Sequence, residues 1–402
     1  MPESDDSGIF LFSAAFVWKI ASDEPLLRLM KKLFLVAGEI SGDSHGSALL
    51  EALPGEGFCL LGLGGPKMHN ISSQIENWLD QAAVLGLWEV LKKYGYFKAK
   101  MEETVARIDA EKPDGVVLID YPGFNLRLAK RLRDEGYTGK LIYYISPQVW
   151  AWKKGRVKVM AELLDLMICI FPFEKELYES SGLETVFCGH PLVDSLAEIK
   201  SADIEREANL VALLPGSRER EVVKLFPPML DAAEILLEEH SGLKFVTTGA
   251  TPALTEKLRG MVDERSLGGS IDVLESSGQE IMRRAQVGVV ASGTATLEAA
   301  VLGLPYCLVY KVAWLTAFAA RRVLKVRFLG IVNVIAGREV VKELLQDKAR
   351  GEDMAKQLSA LLDDRDKRNQ LIEDLDKVVR GLGGGGAHKN AADAVVKALS
   401  ET

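Results

Sequence analysis

The chain has 402 residues, of which 48% are hydrophobic and 26% charged, as is typical of a soluble globular enzyme. This length exceeds what one hydrophobic core usually serves, so two domains are expected. The formal net charge of −8 argues against bulk nucleic-acid binding, but it is compatible with a local basic face on anionic lipid.

The first 29 residues differ from the rest of the chain. They hold an apolar stretch at 8–18 that is preceded by acidic residues. About eleven apolar residues cannot cross a bilayer that needs roughly 20. A secretory signal would begin with positive charge. We therefore expect 1–29 to be a disordered or peripheral extension, with Met30 as a more natural start.

From residue 33 onward, short β-rich runs alternate with longer amphipathic segments. This alternation is typical of βαβ units and predicts an α/β fold with parallel sheets. The runs lie at 33–37, 115–119, 141–145 and 166–170, and then at 210–214, 245–248, 271–274, 287–291 and 305–309. Each set suffices for one doubly wound domain. We predict domains at 30–198 and 199–380, followed by a glycine-rich hinge and a last helix in 381–402.

Four of the predicted strands end in residues suited to ligands. Glycine, serine or acidic residues follow the strands at 38–43, 120–123, 215–218 and 292–294. In doubly wound sheets, ligands bind where the carboxyl ends of strands meet helix N-termini. Two such domains facing each other would form a cleft between them.

No metal site or cofactor is predicted. The four cysteines are scattered and the five histidines lack ligand spacing. The glycine-rich run at 381–386 could be a phosphate loop, but no strand precedes it, so a flexible hinge is preferred.

The segment at 215–218 suits a diphosphate. Gly216 permits close backbone approach, Ser217 adds a hydroxyl, and the N–H groups of the next helix can receive an anion. The guanidinium of Arg218 can grip phosphate oxygens in a bidentate manner. The alternative is a surface turn with a solvated arginine.

The segment at 292–298 has a similar pattern. Ser292, Gly293 and Thr294 open a helix whose amides can face a ligand, and Glu298 lies about one turn further on. Glu298 could accept hydrogen bonds from ribose hydroxyls. It could also merely complement the helix dipole, an effect worth under about 1 kcal/mol. Together the two segments predict a metal-independent nucleotide diphosphate site.

Two aspartates in the first half are candidate general bases. Asp120 ends an apolar strand, where desolvation would raise its pKa toward a useful value. Asp43 follows Gly42 in a tight loop and is the rival candidate. For both aspartates the alternative is a helix-capping role.

An apolar segment near residue 88 is flanked by lysines. Leu85, Leu87, Trp88 and Leu91 could contact acyl chains or the headgroup boundary of a membrane, or they could form an ordinary buried helix. The segment at 312–331 combines aromatic and basic residues. It is read either as an amphipathic helix or as a basic face against anionic lipid.

Nine strings resemble the lipid-A-disaccharide synthase family (glycosyltransferase family 19) in order and spacing. They are AGEISGD (37–43), GLGGPKM (62–68), GLWEVL (86–91), IDYPGFN (119–125), SPQVWAW (146–152), GHPL (189–192), LPGSR (214–218), SGTA (292–295), and Asn333 with AGREVV (336–341) and ELLQ (343–346). The resemblance runs from about residue 31 to the last helix.

The resemblance implies a GT-B glycosyltransferase with its nucleotide in the C-terminal domain. It implies UDP-2,3-diacylglucosamine as donor, 2,3-diacylglucosamine 1-phosphate as acceptor, and a β-1,6-linked product formed with inversion. Asp120 would take the proton of the acceptor, and Asn333, Gln346 and Trp150 would line the donor site or the cleft. It also implies a cytoplasmic protein, peripheral on the inner membrane surface of a Gram-negative-type bacterium. A homo-oligomer is left open.

Two positions depart from the family pattern. Gly123 stands where a second aspartate is usual, and Val332 where a proline commonly precedes the asparagine. The first departure places the chemistry on Asp120. Two alternative functions remain: a UDP-sugar 2-epimerase, and a nucleotide-sugar-binding module without turnover.

Overall fold

Two parallel β-sheets with helices on both faces form the part of the chain that a computed structural model describes. That part comprises residues 30–55, 57–79, 87–148, 155–311 and 327–401, with side chains at 87–94 outside the description. The predicted α/β class with two doubly wound sheets is confirmed.

The first sheet has seven parallel strands in the order β3-β2-β1-β4-β5-β6-β7. They are β1 (Lys31–Ala37), β2 (Phe58–Gly64), β3 (Ile75–Asn77), β4 (Gly115–Ile119), β5 (Lys140–Tyr144), β6 (Leu166–Cys169) and β7 (Thr185–Phe187). All five residues of the central strand β4 are buried. A strand covered on both faces has no solvent side, which is why β4 reads as an unbroken apolar run.

The first sheet is connected by helices that alternate with its strands. They are α1 (Ile40–Ala52), α2 (Pro66–Ile71), α3 (Leu87–Glu111), α4 (Pro122–Asp134), α5 (Gly155–Leu163) and α6 (Pro172–Glu179). Two short helices, α7 (Pro191–Ser195) and α8 (Ala197–Ser201), lead to the second sheet.

The second sheet has six parallel strands in the order β10-β9-β8-β11-β12-β13. They are β8 (Glu207–Leu214), β9 (Lys244–Thr248), β10 (Ile271–Leu274), β11 (Ala285–Ala291), β12 (Tyr306–Tyr310) and β13 (Glu343–Leu345). Its helices are α9 (Glu219–Glu239), α10 (Pro252–Asp263), α11 (Gly278–Arg284), α12 (Thr294–Val301), α13 (Ile331–Ala336), α14 (Gly351–Asp363) and α15 (Arg365–Gly381). A 3₁₀ turn, Gln346–Lys348, follows β13.

The last helix, α16 (Ala387–Ser400), returns to the first sheet. Its buried Ala391 and Val395 belong to the same apolar cluster as Leu33 and Leu35 of β1. The chain therefore crosses between the two sheets twice, once through α7 and α8 and once before α16.

The glycine-rich segment before α16 forms a hydrogen-bonded turn. Gly383, Gly385 and Gly386 have φ values of 101°, 96° and 73°, a region that favours glycine. The carboxylate of Asp194 accepts hydrogen bonds from the backbone N–H groups of Gly386 at 2.6 Å and Ala387 at 2.9 Å. Asp194 thus caps the N-terminus of α16 and joins the two crossings.

Candidate active site

The strand order reverses at one place in each sheet, next to the first strand of that sheet. In the first sheet β1 lies beside β4, with Ala37 paired to Ile119. In the second sheet β8 lies beside β11, with Leu214 paired to Val290. The segments at 38–43 and 120–123 therefore leave neighbouring strands and lead into α1 and α4, and those at 215–218 and 292–294 likewise lead into α9 and α12. Such switch points are where doubly wound sheets form ligand crevices.

A cavity of about 540 Å³ lies at the switch point of the second sheet. That volume is within the range of small-molecule sites, roughly 300–1,000 Å³. Seven of the predicted substrate residues line it, namely Gly216, Ser217, Arg218, Ser292, Gly293, Thr294 and Glu298. Segments at 248–250 and 276–278 complete its wall.

The backbone on both sides of this cavity requires glycine. Gly216 has a φ of 110°, and a Cβ there would lie 2.6 Å from Oε2 of Glu221. Gly293 has a φ of 151° and directly precedes the first residue of α12. These two turns start α9 and α12 at the edge of the cavity, so that unsatisfied N–H groups of two helices can meet an anion.

Arg218 is exposed and is paired with a nearby acid. Its side chain is 66% exposed, and Nη1 donates a 2.9 Å hydrogen bond to Oε1 of Glu221. Glu221 also lines the cavity and was not identified from the sequence. An anion that enters must therefore compete with Glu221 for the guanidinium.

Glu298 is held by a neighbour from α11. Nε2 of Gln279 donates a 3.2 Å hydrogen bond to Oε1 of Glu298. Among the described residues, none is recorded as donating to its second oxygen, Oε2. That oxygen can accept a hydrogen bond from a hydroxyl in the cavity.

The other predicted donor-site residues in this half lie differently. Asn333 is fully buried, and its amide makes four hydrogen bonds within the protein: it donates to the Val341 carbonyl and Glu343, and it accepts from the N–H groups of Val340 and Val341. With both N–H groups and the oxygen used, Asn333 holds the turn before β13 and has no free group for a ligand. Gln346 begins the 3₁₀ turn with a φ of 53°, and it is not among the residues that line the cavity.

Asp120 lies at the switch point of the first sheet, directly after β4. Its φ is 45°, in the left-handed region that non-glycine residues seldom adopt. The pKa of Asp120 is raised to about 6, first by burial and then by the nearby charge of Glu39, against the lowering effect of a backbone hydrogen bond from Tyr121. A carboxylate with that pKa is largely ionised near neutral pH and remains basic enough to take a proton.

Glu39 is a second acidic group at this switch point. It follows β1 by two residues and is exposed. The pKa of Tyr121 is raised as well, first by burial and then by the charge of Glu39. Glu39 lies within the AGEISGD string (37–43), but no role was predicted for it from the sequence. Its signal was an acidic side chain at the end of the strand beside β4.

Asp43 has a different environment. It is 2% exposed, and its carboxylate accepts backbone hydrogen bonds from Gly65 at 2.8 Å, Lys67 at 3.0 Å and Met68 at 3.0 Å. These bonds cap the N-terminus of α2, a helix other than the one that contains Asp43. With both oxygens engaged in this way, the geometry favours Asp120 over Asp43 as a base.

Gly42 supports the same loop by packing. It is buried, and a Cβ there would lie 3.4 Å from Cβ of Ala37 and 3.7 Å from the carbonyl of Ile119. Helix α1 therefore begins directly against the ends of β1 and β4. This position suits a packing role for Gly42 under the loop.

Several predicted contacts fall on residues that the structure does not describe. Trp150 and Leu85 lie outside the described residues, and Leu87, Trp88 and Leu91 lie in α3 without described side chains. Within the described ranges, no group of three or more His, Cys, Asp or Glu side chains could hold a metal ion. In the same ranges, no helix is long and apolar enough to span a bilayer.

Comparison with known proteins places the chain in one family. A family model described as "Lipid-A-disaccharide synthetase" matches residues 33–397. A lipid-A-disaccharide synthase from Persephonella marina is 38% identical over 384 residues, covering 92% of this chain and all of the relative.

Solved structures with much lower identity share the fold. A UDP-GlcNAc 2-epimerase from Neisseria meningitidis has a TM-score of 0.58 at 12% identity, covering 93% of this chain and 100% of the other. The spinosyn rhamnosyltransferase SpnG has a TM-score of 0.51 at 14% identity, covering 92% and 100%. These similarities support the predicted GT-B fold, which glycosyltransferases and epimerases have in common. Because the family model spans nearly all of the described chain and the relative is matched over its whole length, the chain belongs to the lipid-A-disaccharide synthase family.

Proposed function

We propose that this enzyme transfers 2,3-diacylglucosamine from UDP to the 6-hydroxyl of 2,3-diacylglucosamine 1-phosphate. The products are the β-1,6-linked lipid A disaccharide 1-phosphate and UDP. The observation that carries the proposal is that, in a chain of this family, the switch point of each sheet bears residues suited to one part of the reaction. One bears Asp120, with a pKa raised to about 6, and the other bears a glycine-lined cavity beside Arg218.

The donor diphosphate is assigned to the cavity of the second sheet. As the bond between the anomeric carbon and the phosphate oxygen breaks, negative charge grows on the departing UDP. The N–H groups at the starts of α9 and α12 and the guanidinium of Arg218 offset that charge. Arg218 leaves Glu221 and turns to the phosphate, while the free oxygen of Glu298 accepts from a ribose hydroxyl.

The acceptor hydroxyl is assigned to Asp120. The oxygen at position 6 attacks the anomeric carbon from the face opposite the leaving phosphate, and its proton passes to the Asp120 carboxylate. One displacement inverts the anomeric centre, so an α-linked donor gives a β-linked product. Proton transfer to a positioned carboxylate contributes about 10²–10⁴-fold to such a rate.

Membrane contact is proposed for the segment around α3. The substrates carry acyl chains, and Leu85, Leu87, Trp88 and Leu91 form an apolar stretch flanked by lysines. Such a stretch suits the headgroup boundary of a membrane. We place the protein on the cytoplasmic face of the inner membrane as a peripheral protein, without nucleic acid as a partner. A homo-oligomer is compatible with this arrangement.

The decisive experiment supplies purified full-length protein with the donor and the acceptor and measures UDP and disaccharide by mass spectrometry. Long-chain and short-chain acyl substrates are compared. We expect a disaccharide product and no effect of EDTA. UDP binding without product would identify a binding module, and formation of a 2-epimer from UDP-GlcNAc would identify an epimerase. Either result would overturn the proposal.

A further inference from the structure

The backbone at the end of β4 is held in an unusual conformation. Asp120 and Tyr121 have φ values of 45° and 47°, and both are non-glycine residues. Two consecutive residues in the left-handed region are unfavourable unless neighbouring groups hold them there. The conformation matters because it sets the direction in which the Asp120 side chain leaves the sheet.

Two side chains donate hydrogen bonds to the backbone carbonyl of Asp120. The hydroxyl of Tyr143 donates at 2.6 Å, and Nδ2 of Asn125 donates at 2.7 Å. The donors come from different elements, since Tyr143 lies in β5 and Asn125 in the first turn of α4. The carbonyl is thus fixed from two directions.

Both donors are fully buried. Tyr143 and Asn125 are each 0% exposed, so neither can move without disturbing the core. Nδ2 of Asn125 also approaches the carbonyls of Ile119 at 3.2 Å and Val36 at 3.4 Å. Ile119 is the last residue of β4 and Val36 the next to last of β1, so a single amide ties the ends of two neighbouring strands to the Asp120 turn.

The side-chain amide of Asn125 donates hydrogen bonds through Nδ2 but accepts none through Oδ1 from any residue that the structure describes. Its Oδ1 is buried and has no hydrogen-bond partner within the described part of the chain. A buried acceptor without a donor is unfavourable. The amide is nevertheless oriented with its nitrogen toward the strand ends, where it serves several carbonyls at once.

We propose that Tyr143 and Asn125 are positioning residues that hold Asp120 in its left-handed conformation and so direct its carboxylate at the acceptor hydroxyl. This proposal rests on the proposed function, because Asp120 is the base of that reaction. Both side chains are fully buried and so have no surface to offer a substrate. Each acts through the carbonyl of Asp120, which it fixes by hydrogen bonding.

The sharpest variant is Tyr143→Phe, which removes one hydroxyl and keeps the buried ring. Because small misplacements of a reacting group are costly, kcat should fall by about 10- to 100-fold. The affinity for UDP should stay within about twofold of the parent, because the proposed UDP site lies at the second sheet. The pH midpoint of kcat/KM should also move below about 6, because a released Asp120 relaxes toward water.

Tyr137→Phe is the matched control. The hydroxyl of Tyr137 donates a 2.9 Å hydrogen bond to the carbonyl of Pro113, at the opposite end of the same strand β4. This variant loses the same type of hydrogen bond. It should lower the thermal midpoint as Tyr143→Phe does and leave kcat unchanged. Equal kinetic effects in the two variants, or normal kcat and pH profile in Tyr143→Phe, would overturn the positioning role.

A second variant and a readout without turnover keep the test decisive. Asn125→Ser leaves a short donor in place of the amide, and we expect it to lower kcat in the same way. Titration of carbon-13-labelled aspartate by NMR reports the pKa of Asp120 directly. If the wild type formed no disaccharide, the proposed function would fail. A shifted Asp120 titration in Tyr143→Phe would still support the positioning role, and an unshifted one would refute it.

Discussion

The aromatic ring of Tyr121 lies directly over the Cα atom of Gly38, at the point where β1 and β4 both end. A Cβ at Gly38 would lie within 2.6 Å of the ring atoms Cγ and Cε1 of Tyr121. The ring is also in edge contact with Trp78, with centroids 6.2 Å apart. Tyr121 therefore has little room to retreat, and its backbone adjoins that of Asp120.

Gly38→Ala should displace Tyr121 and with it the turn that holds Asp120. We expect a loss of about 1–3 kcal/mol in the free energy of unfolding, typical of overpacking. We also expect a fall in kcat of about tenfold or more. Gly260→Ala is the control, because nothing lies within 4 Å of a Cβ there, in the interior of α10. Denaturant unfolding and product formation check both variants, and equal stability of the two would contradict the contact.

The pH dependence should report Asp120. As the base, Asp120 must be ionised, so kcat/KM should rise with pH up to a midpoint at about 6 and level off above it. Because the charge of Glu39 raises this pKa, Glu39→Gln should move the midpoint to lower pH. Glu51→Gln, in the last turn of the helix α1 that begins directly after Glu39, should leave the midpoint in place. If Glu39→Gln left the pH midpoint unchanged, the group that titrates in kcat/KM would not be Asp120.

Substitution of the two aspartates should have different effects, on turnover for Asp120 and on stability for Asp43. Asp120→Asn should abolish turnover and leave UDP affinity nearly intact. In the parent, the pKa of the Asp120 carboxyl is higher in the folded protein than in the unfolded chain. The contribution of this carboxyl to stability is therefore present below about pH 4 and is lost as pH rises through about 6. At pH 7 the variant should therefore be more stable than the parent, by on the order of 1–3 kcal/mol.

Asp43→Asn should instead lower stability. It replaces a carboxylate oxygen that accepts from backbone N–H groups of α2 by an amide nitrogen that cannot. The loss should be about 1–3 kcal/mol, with turnover retained in the folded fraction. If Asp43→Asn folded normally and lost turnover while Asp120→Asn kept it, the assignment of the base would be reversed.

The central strands of both sheets could be predicted from the sequence because they are buried on both faces. The run at 115–119 coincides with β4, and that at 210–214 is the buried part of β8. Missing from the prediction were β2, β3, β7 and β13. Three of these are edge strands of only three residues, too short and too mixed in polarity to form an apolar run. The fourth, β2, contains two glycines within its seven residues.

The residues of the candidate site could be predicted where they all come from one loop that directly follows a strand. Gly216 and Thr294 follow their own strands, so local sequence placed them at the cavity. The hydrogen bonds of Asp43 were not predictable, because its donors lie 22 to 25 residues away and are brought to it by the packing of α2. The hydroxyl of Tyr143 reaches Asp120 from the neighbouring strand, a relationship that requires the strand order.

Arg218 and Glu221 should affect UDP binding in opposite directions. Arg218→Ala removes a charged hydrogen-bond donor from the cavity, and the dissociation constant for UDP should rise by about 10- to 100-fold. Glu221→Gln removes the competing carboxylate and should tighten binding. Arg284→Ala is the control, since Arg284 pairs with Glu207 at the start of β8. Isothermal titration with UDP measures all three, and unchanged affinity in Arg218→Ala would remove Arg218 from the site.

Gly123 is where the family motif usually carries a second aspartate, and the structure has room for one. Gly123 is exposed in the first turn of α4, and nothing lies within 4 Å of a Cβ there. Gly123→Asp should therefore fold. It should gain about 0.3–1 kcal/mol in stability, because a negative charge is favourable at a helix N-terminus.

The carboxylate introduced by Gly123→Asp should raise the pKa of Asp120 without taking over its role as the base. A carboxylate three residues from Asp120 disfavours a second negative charge nearby, so the pH midpoint of kcat/KM should move above about 6. The plateau kcat should stay within about twofold of the parent, because one base suffices for one proton transfer. Gly123→Asn has the same shape without the charge and should leave the midpoint unchanged. A gain in kcat of tenfold or more in the aspartate variant alone would mean that the family's second carboxylate takes part in the chemistry and that this chain works without it.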